Sequence, residues 1–297
     1  MFIVKYRKIF IGLSIVFVTL SVCAIAFWGL NFGIDFKGGS LLEVAYSGAR
    51  PEQSAVESSL KELSLGDILV QPIGENGYSF KTKDITESQK IDIMKSLGDG
   101  VTETSFTSIG PSVGAELVRK SVTSFILVAL GIILWIAFSF RKVSHPVSSW
   151  KYGLIAVTAL IHDVTISAGF FAVFSHLMGR DADTLFVVAI LTVLGLSVSD
   201  TIVVFDRIRE NIRTSHSKTF EEIVGSSIGQ VYTRSIITSL TVIVVLLSLV
   251  FFGPSSTKLF ALTLTVGMFF GTYSSIFLAS PLLVMVKNIQ DKGKKKK

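Results

Sequence analysis

Six stretches of the chain, 9–28, 122–140, 152–174, 185–206, 233–252 and 259–286, are almost continuously apolar. Each is near the twenty residues that carry a helix across a bilayer. Between the first and second lies a segment of different character, 31–120, in which short alternating runs are separated by turn signals. Residues 41–47 (LLEVAYS) read as a strand. Residues 51–63 read as an amphipathic helix with Pro51 in its first turn and Val56, Leu60 and Leu63 on one face, ended by Gly66. Residues 68–73 and 78–82 flank Asn76-Gly77, a hairpin signal. Thr86-Glu87-Ser88-Gln89 is a capping box for a second helix ending near Gly98, and 101–107 alternate as a last strand. The order β-α-β-β-α-β is the ferredoxin-like pattern.

The pattern predicts an α-helical membrane protein: six transmembrane helices, with a small extracytoplasmic ferredoxin-like α+β domain between helices one and two. The expected division is 1–30, 31–120, a five-helix bundle 121–286 and a basic tail 287–297. A further segment, 207–232, carries Phe220, Ile223, Val224 and Ile228 at helical spacing. It reads as an amphipathic helix, either lying at the membrane interface or packed on the ends of the bundle.

Composition agrees. At 49% hydrophobic and 17% charged the chain is neither disordered nor an ordinary soluble domain. Lysine and arginine set the orientation. Lys5, Arg7, Lys8, Arg141, Lys142, Lys151, Arg207, Arg209, Arg213, Lys218, Lys292 and the lysines 294–297 fall on one side of the predicted spans, whereas the two short loops opposite carry only Arg180 and Lys258. Both termini are therefore expected in the cytoplasm. The net charge of +6 is this bias plus the tail, not a nucleic-acid footprint. The tail is either a contact for anionic membrane lipid or an acidic partner, or simply solvated. Cys23 is the only cysteine, so no internal disulfide can form. Val22 is too large for a lipoprotein cleavage box, and the long apolar run around Ala24-Ile25-Ala26 is expected to be retained as a helix.

The chemistry lies in the spans. Asp200 sits well inside the fourth, about 9 Å from its charged end at Asp206. An acid at that depth is costly and by default functional. Thr192, Gly195, Leu196, Ser199, Asp200, Val203, Asp206 and Arg207 share a sector of roughly 140° on the helical wheel. Gly195 and Ser199 form a small-xxx-small pair suited to helix packing. In the fifth span Arg234 is placed to pair with Asp200, with Thr238, Thr241 and Ser248 continuing its face; snorkelling of Arg234 to lipid phosphate is the plainer alternative. In the third, His162-Asp163 suits a proton relay or, equally, a satisfied core histidine with a neighbour. Asp206, Arg207 and Arg209 read first as a solvated cap. Gly267 and Gly271 in the sixth make a GxxxG for tight packing. No nucleophile–base pair, metal cluster or phosphate loop is evident, and Gly33–Gly39 (GIDFKGG) lacks the strand–helix context of a nucleotide site. The expected energy source is an ion gradient, with no cofactor and no metal.

At these residues the chain resembles the SecF family, the smaller membrane subunit of the bacterial SecDF protein-export complex, itself related to RND-type proton-driven transporters. The resemblance runs nearly end to end. It rests on Gly33-Ile34-Asp35-Phe36 with Gly38-Gly39, on Ile109-Gly110-Pro111-Ser112-Val113-Gly114 and on His162-Asp163-Val164. It also rests on the run from Ser199-Asp200-Thr201 to Arg209-Glu210-Asn211, on Arg234-Ser235-Ile236-Ile237-Thr238-Ser239 and on Ala279-Ser280-Pro281. The chain departs from the family pattern at Leu196, Ser199, Ser235 and Lys37. The resemblance implies a non-enzymatic export subunit in the cytoplasmic (inner) membrane, driven by the proton-motive force. In it Asp200 and Arg234 belong to the proton pathway, and SecD, the SecYEG translocon, YajC and preprotein chains are its partners. The alternative is half of an RND-like transporter for small or lipidic substrates, which the small outer domain disfavours; a passive scaffold leaves Asp200 unexplained.

Overall fold

The computed structural model describes residues 2–63, 66, 68–139, 147–215 and 217–295. Arg141 and Lys142 of the predicted basic loop, and the last two tail lysines, lie outside the described residues. The helices are α1 (Phe2–Lys5), α2 (Arg7–Trp28), α3 (Ile34–Lys37), α4 (Gln53–Lys61), α5 (Glu87–Ser96), α6 (Pro111–Ser139), α7 (Ser149–Met178), α8 (Thr184–Thr214), α9 (Phe220–Phe252), α10 (Ser255–Ser274) and α11 (Ser280–Lys295). The strands are β1 (Gly39–Tyr46), β2 (Leu69–Ile73), β3 (Gly77–Thr82) and β4 (Val101–Ile109). The chain divides into two compact units.

One unit comprises Asn31–Thr123 together with Gly179–Thr184. Its sheet has the order β2-β3-β1-β4 with every neighbouring pair antiparallel, the ferredoxin-like arrangement. Alternation along β1 turns Leu42 and Val44 toward α4 and α5, where they bury with Val56, Leu60, Phe80 and Ile93. Each such side chain contributes about 1.5–3 kcal/mol of burial. The predicted capping box closes on both halves, Gln89 N–H to Thr86 and Thr86 N–H to Gln89. The glycine pair after α3 is required by geometry: Gly38 and Gly39 have φ of 77° and 129°, and a methyl on Gly39 would stand 2.6 Å from the Thr82 carbonyl oxygen.

The turn between α7 and α8 belongs to this unit, which the periodicity of the chain does not reveal. Ala182 N–H donates to Asn31 O at 2.7 Å and Gly33 N–H donates to Ala182 O at 2.8 Å. Lys81 pairs with Asp181 at 2.8 Å, and Arg180 approaches Glu43 at 3.7 Å. Asp35 Oδ2 accepts from both the backbone N–H and the hydroxyl of Thr184, each at 2.8 Å. Asp35 thereby caps α8 from the glycine-rich motif.

The other unit comprises Met1–Leu30, Ser124–Met178 and Leu185–Lys297. Six helices among the described residues are long and apolar enough to cross a membrane, and each lies wholly or partly in this unit. The chain is a multi-pass membrane protein. The sixth helix is not uniform: between α10 and α11 the chain makes a π-helical turn, Ser275–Ala279. Pro281 follows it; proline has no N–H to give the carbonyl four residues back, so the ladder widens just before it. The Ser280 hydroxyl fills in by donating to Ser275 O at 3.0 Å.

The 207–232 segment is not a separate helix: α8 continues to Thr214, and α9 begins at Phe220 and runs unbroken to Phe252, its first turns packed on the bundle as in the second of the two expectations. Thr219 and Glu222 form a reciprocal capping box that starts α9 there. Asn211 ties the two ends together, donating to Ser227 Oγ at 2.8 Å and Gln230 Oε1 at 3.0 Å. Val224 and Ile228 pack in the bundle core with Tyr152, Phe205 and Ile208, Phe220 lies partly buried against them, and Ile223 is buried too.

Candidate functional site

Among the described residues of the helical unit are two apolar clusters. One gathers Ala159, Val204, Val231 and Ile276 with their neighbours, the other Ala189, Val193 and Leu264. Along each of α7, α8 and α10 the residues next to these clusters are polar and buried. They form a hydroxyl-rich layer that holds two carboxylates, Asp200 and Asp163.

Asp200 is 8% exposed. Thr272 Oγ1 on α10 donates to its Oδ2 at 3.0 Å and Ser239 Oγ on α9 at 3.3 Å. The two hydroxyls also touch each other. Each has a second acceptor in its own helix: Ser235 O at 2.8 Å for Ser239, Met268 O at 3.1 Å for Thr272. A hydroxyl has one proton to donate. With Asp200 ionised, both protons turn to the carboxylate. With Asp200 protonated, both can return to the backbone while the carboxyl O–H donates. The site thus has two hydrogen-bonded states differing by one proton. No Lys, Arg or His nitrogen among the described residues lies within 4.0 Å of Asp200 to balance its charge.

Asp163 is fully buried and His162 is 4% exposed. His162 Nδ1 lies 2.8 Å from Asp163 Oδ1. Ser274 Oγ on α10 donates to Oδ2 at 2.7 Å, and Ser197 Oγ on α8 donates to the same oxygen. Helix α10 thus supplies a hydroxyl to each acid, Thr272 to Asp200 and Ser274 to Asp163. Close approach of these helices depends on glycine: a methyl at Gly267 would overlap Val193, and one at Gly271 would sit 3.1 Å from Ser197 Cβ.

The other expected residues stand differently. Arg234 and Thr238 are exposed, and Arg234 makes no ion pair with Asp200. The reason is helical phase: α9 turns Val231, Ser235 and Ser239 inward, and Arg234 lies one residue, about 100°, away. Gly195 has open space around its Cα and Ser199 is exposed, so they form no seam within this chain; α8 buries Val193, Ser197, Asp200, Thr201 and Val204 instead. Asp206 is exposed and reaches Arg209 at 3.6 Å, and Arg207 pairs with Glu210 at 2.8 Å. Ser197, Thr272 and Ser274 are not among the expected site residues, and Ser239 enters there only within the Arg234–Ser239 run. Their signal was there in part, as hydroxyls at i−3 from Asp200 and at i+4 from Ser235 in apolar spans.

Two family models match the chain. Residues 89–289 match the C-terminal region of the SecD/SecF protein-export membrane proteins, and residues 24–49 match the SecD/SecF GG motif. Among similar curated proteins, the protein translocase subunit SecF of Thermobaculum terrenum is 41% identical, over 96% of this chain and 94% of its own length. That of Anaerolinea thermophila is 36% identical, over 94% and 92%. Among solved structures, SecDF of Thermus thermophilus, described as a translocon-associated membrane protein, superposes with a TM-score of 0.81 at 29% identity over 96% of this chain. SecDF in a super-membrane-facing form gives 0.69 at 28% identity over 99%. The chain spans 38% and 39% of those two SecDF chains, about two fifths of their length.

Proposed function

The chain belongs to the SecD/SecF family of protein-export membrane proteins, among its SecF subunits of protein translocase, and from that footing we propose that it is a proton-driven element of a Sec export machine. It works in the cytoplasmic membrane of a bacterium, with both termini in the cytoplasm and the ferredoxin-like unit outside. Inward proton flow loads and unloads Asp200. The exchange of hydrogen bonds at Ser239 and Thr272 changes how α8 is held by α9 and α10, and the ferredoxin-like unit moves in response. That movement helps a preprotein leave the translocon on the far side. The proton gradient is the energy source, and no cofactor takes part.

One observation carries this reading: a buried acid whose hydrogen-bond partners among the described residues are two hydroxyls, each able to turn away to its own helix. A permanent charge there, with no cation among the described residues beside it, is expensive. Binding one proton removes the charge and rearranges the contacts.

SecD is the expected partner. The SecDF chains that superpose on this one are more than twice as long, which supports a second membrane half beside this one. Arg234 and Thr238, on the exposed face of α9, are placed to meet that half. SecYEG and YajC complete the assembly. The test is preprotein uptake into inverted membrane vesicles containing or lacking this chain, with the gradient intact or collapsed by a protonophore. Stimulation that needs both the chain and the gradient supports the proposal; equal stimulation after collapse contradicts it.

A further inference from the structure

We infer that Asp163 is a positioning residue: with the Ser197 and Ser274 hydroxyls it locks α8 against α10 at their crossing, and so sets Asp200 opposite Thr272, without itself carrying the transported proton. Its part in export rests on the proton-driven reading above; its hold on Asp200 does not.

Asp163 is fully buried, and its carboxyl group joins three helices. From α7 its Oδ2 accepts from Ser197 Oγ on α8 and, at 2.7 Å, from Ser274 Oγ on α10. Ser274 Oγ also lies 3.1 Å from Gly271 O, the longer of its two contacts. Oδ1 faces His162 Nδ1 at 2.8 Å. The hydrogen of that last contact can sit on either atom. In both arrangements Oδ2 keeps its lone pairs for the two hydroxyls. The lock therefore holds whichever group has the hydrogen.

It stands where the helices come closest. A methyl on Gly271 would be 3.1 Å from Ser197 Cβ and 3.3 Å from its Cα, so the two backbones meet at Ser197 itself. Asp200 is about one turn further along α8, and Thr272 is the residue after Gly271 on α10. The 3.0 Å bond from Thr272 to Asp200 thus spans the same crossing. A slide or rotation of α8 at Ser197 carries Asp200 with it. That bond has little slack, since at roughly 3.6 Å a contact is no longer a hydrogen bond. The other titratable side chains at this level are His162 on α7 and Tyr273 on α10, whose ring stacks on the imidazole. Helix α9 turns Ser235 and Ser239 inward, and α2, which packs on α7, carries no charged side chain after Lys8.

The test is carbon-13 NMR of the full chain with its partner subunit in lipid nanodiscs, labelled at the aspartate carboxyl carbons. The Asp200 signal is assigned by its loss in Asp200→Asn and followed across pH. Asp163→Asn keeps an acceptor oxygen for the two serines and a donor for Nδ1, so the Asp200 profile should overlay that of the parent. Asp163→Leu, equally uncharged and near in shape, keeps neither. It should displace the profile by about one pH unit, a tenfold change in proton affinity. The double substitution Ser197→Ala with Ser274→Ala leaves the acid in place and removes only its donors. It should displace the profile likewise, and it decides the matter where Asp163→Leu does not fold. Equal displacement by Asp163→Asn and Asp163→Leu would make the lost charge the cause and overturn the inference, as would an unmoved profile in the leucine and double-alanine variants. In vesicles, gradient-stimulated uptake should survive Asp163→Asn. Its loss there, with the Asp200 profile unmoved, would make Asp163 a proton carrier and also overturn the inference. Because the Asp200 signal is read without export, failure of the proton-driven reading leaves the lock standing, and failure of the lock leaves the role of Asp200 standing.

Discussion

Thr272 donates to Asp200 across 3.0 Å, from a helix that reaches the second acid, Asp163, through Ser274 two residues later. Residues two apart on a helix point about 200° from each other, so α10 meets the two carboxylates with different faces. Its fit against α8 and α7 is made by the two glycines one and two turns before Ser274, and it ends in the π-helical turn before Pro281. The protonation states of the acids and the packing of this helix are thus parts of one arrangement.

Substitution of the glycines should separate packing from chemistry. Gly267→Ala pushes a methyl into Val193 and should cost about 1–3 kcal/mol. Gly195→Ala, with nothing near its Cα, should be neutral or gain up to about 1 kcal/mol from helix propensity. Thermal unfolding in detergent reads both. Equal destabilisation by the two would place the helix seam elsewhere.

Thr272→Val keeps the shape of the side chain and removes its donor to Asp200. Gradient-stimulated export should fall several-fold, while Thr272→Ser, which retains the hydroxyl, should keep most of it. A lost hydrogen bond to a charged group is worth about 1.5–3 kcal/mol, enough for such an effect. Full activity in Thr272→Val would remove the hydroxyl from the proton step.

Asp35→Ala removes the cap on Thr184 and should cost about 1 kcal/mol locally. Amide hydrogen exchange should speed up at Ala182 and Thr184, while Leu42 and Phe80 in the sheet stay protected. Unchanged exchange at Thr184 would show that the turn is held by Lys81–Asp181 and its backbone bonds alone.

The spans were legible because apolar length is a property of sequence, and the ferredoxin-like order because strands, capping box and turn each carry local signals. Thr86–Gln89 closed as read, and Asn76-Gly77 falls at the β2–β3 turn. Thr219–Glu222 offered the same capping signal, which marks the true start of α9. Which helices adjoin, and in what phase, is a tertiary property. The partners of Asp200 were therefore sought at Arg234 and Thr238, when the buried face holds Ser235 and Ser239 one residue on. Hydroxyls such as Thr272 and Ser274 barely change the hydropathy of a span and gain meaning only once an acid is opposite. The capture of Gly179–Thr184 by the ferredoxin-like unit rests on pairings across a hundred residues or more, such as Lys81 with Asp181, which no local pattern shows.

Asp200→Asn tests the central claim most directly. It keeps the size of the side chain and its acceptor oxygen for Ser239 or Thr272, but cannot bind and release a proton. The variant should insert in the membrane and copurify with SecD as the parent does. Preprotein uptake into inverted vesicles should lose the part that the proton gradient adds, and Asp200→Glu, which keeps a titrating group on a longer arm, should recover some of it. Undiminished, gradient-dependent uptake by Asp200→Asn would contradict the account.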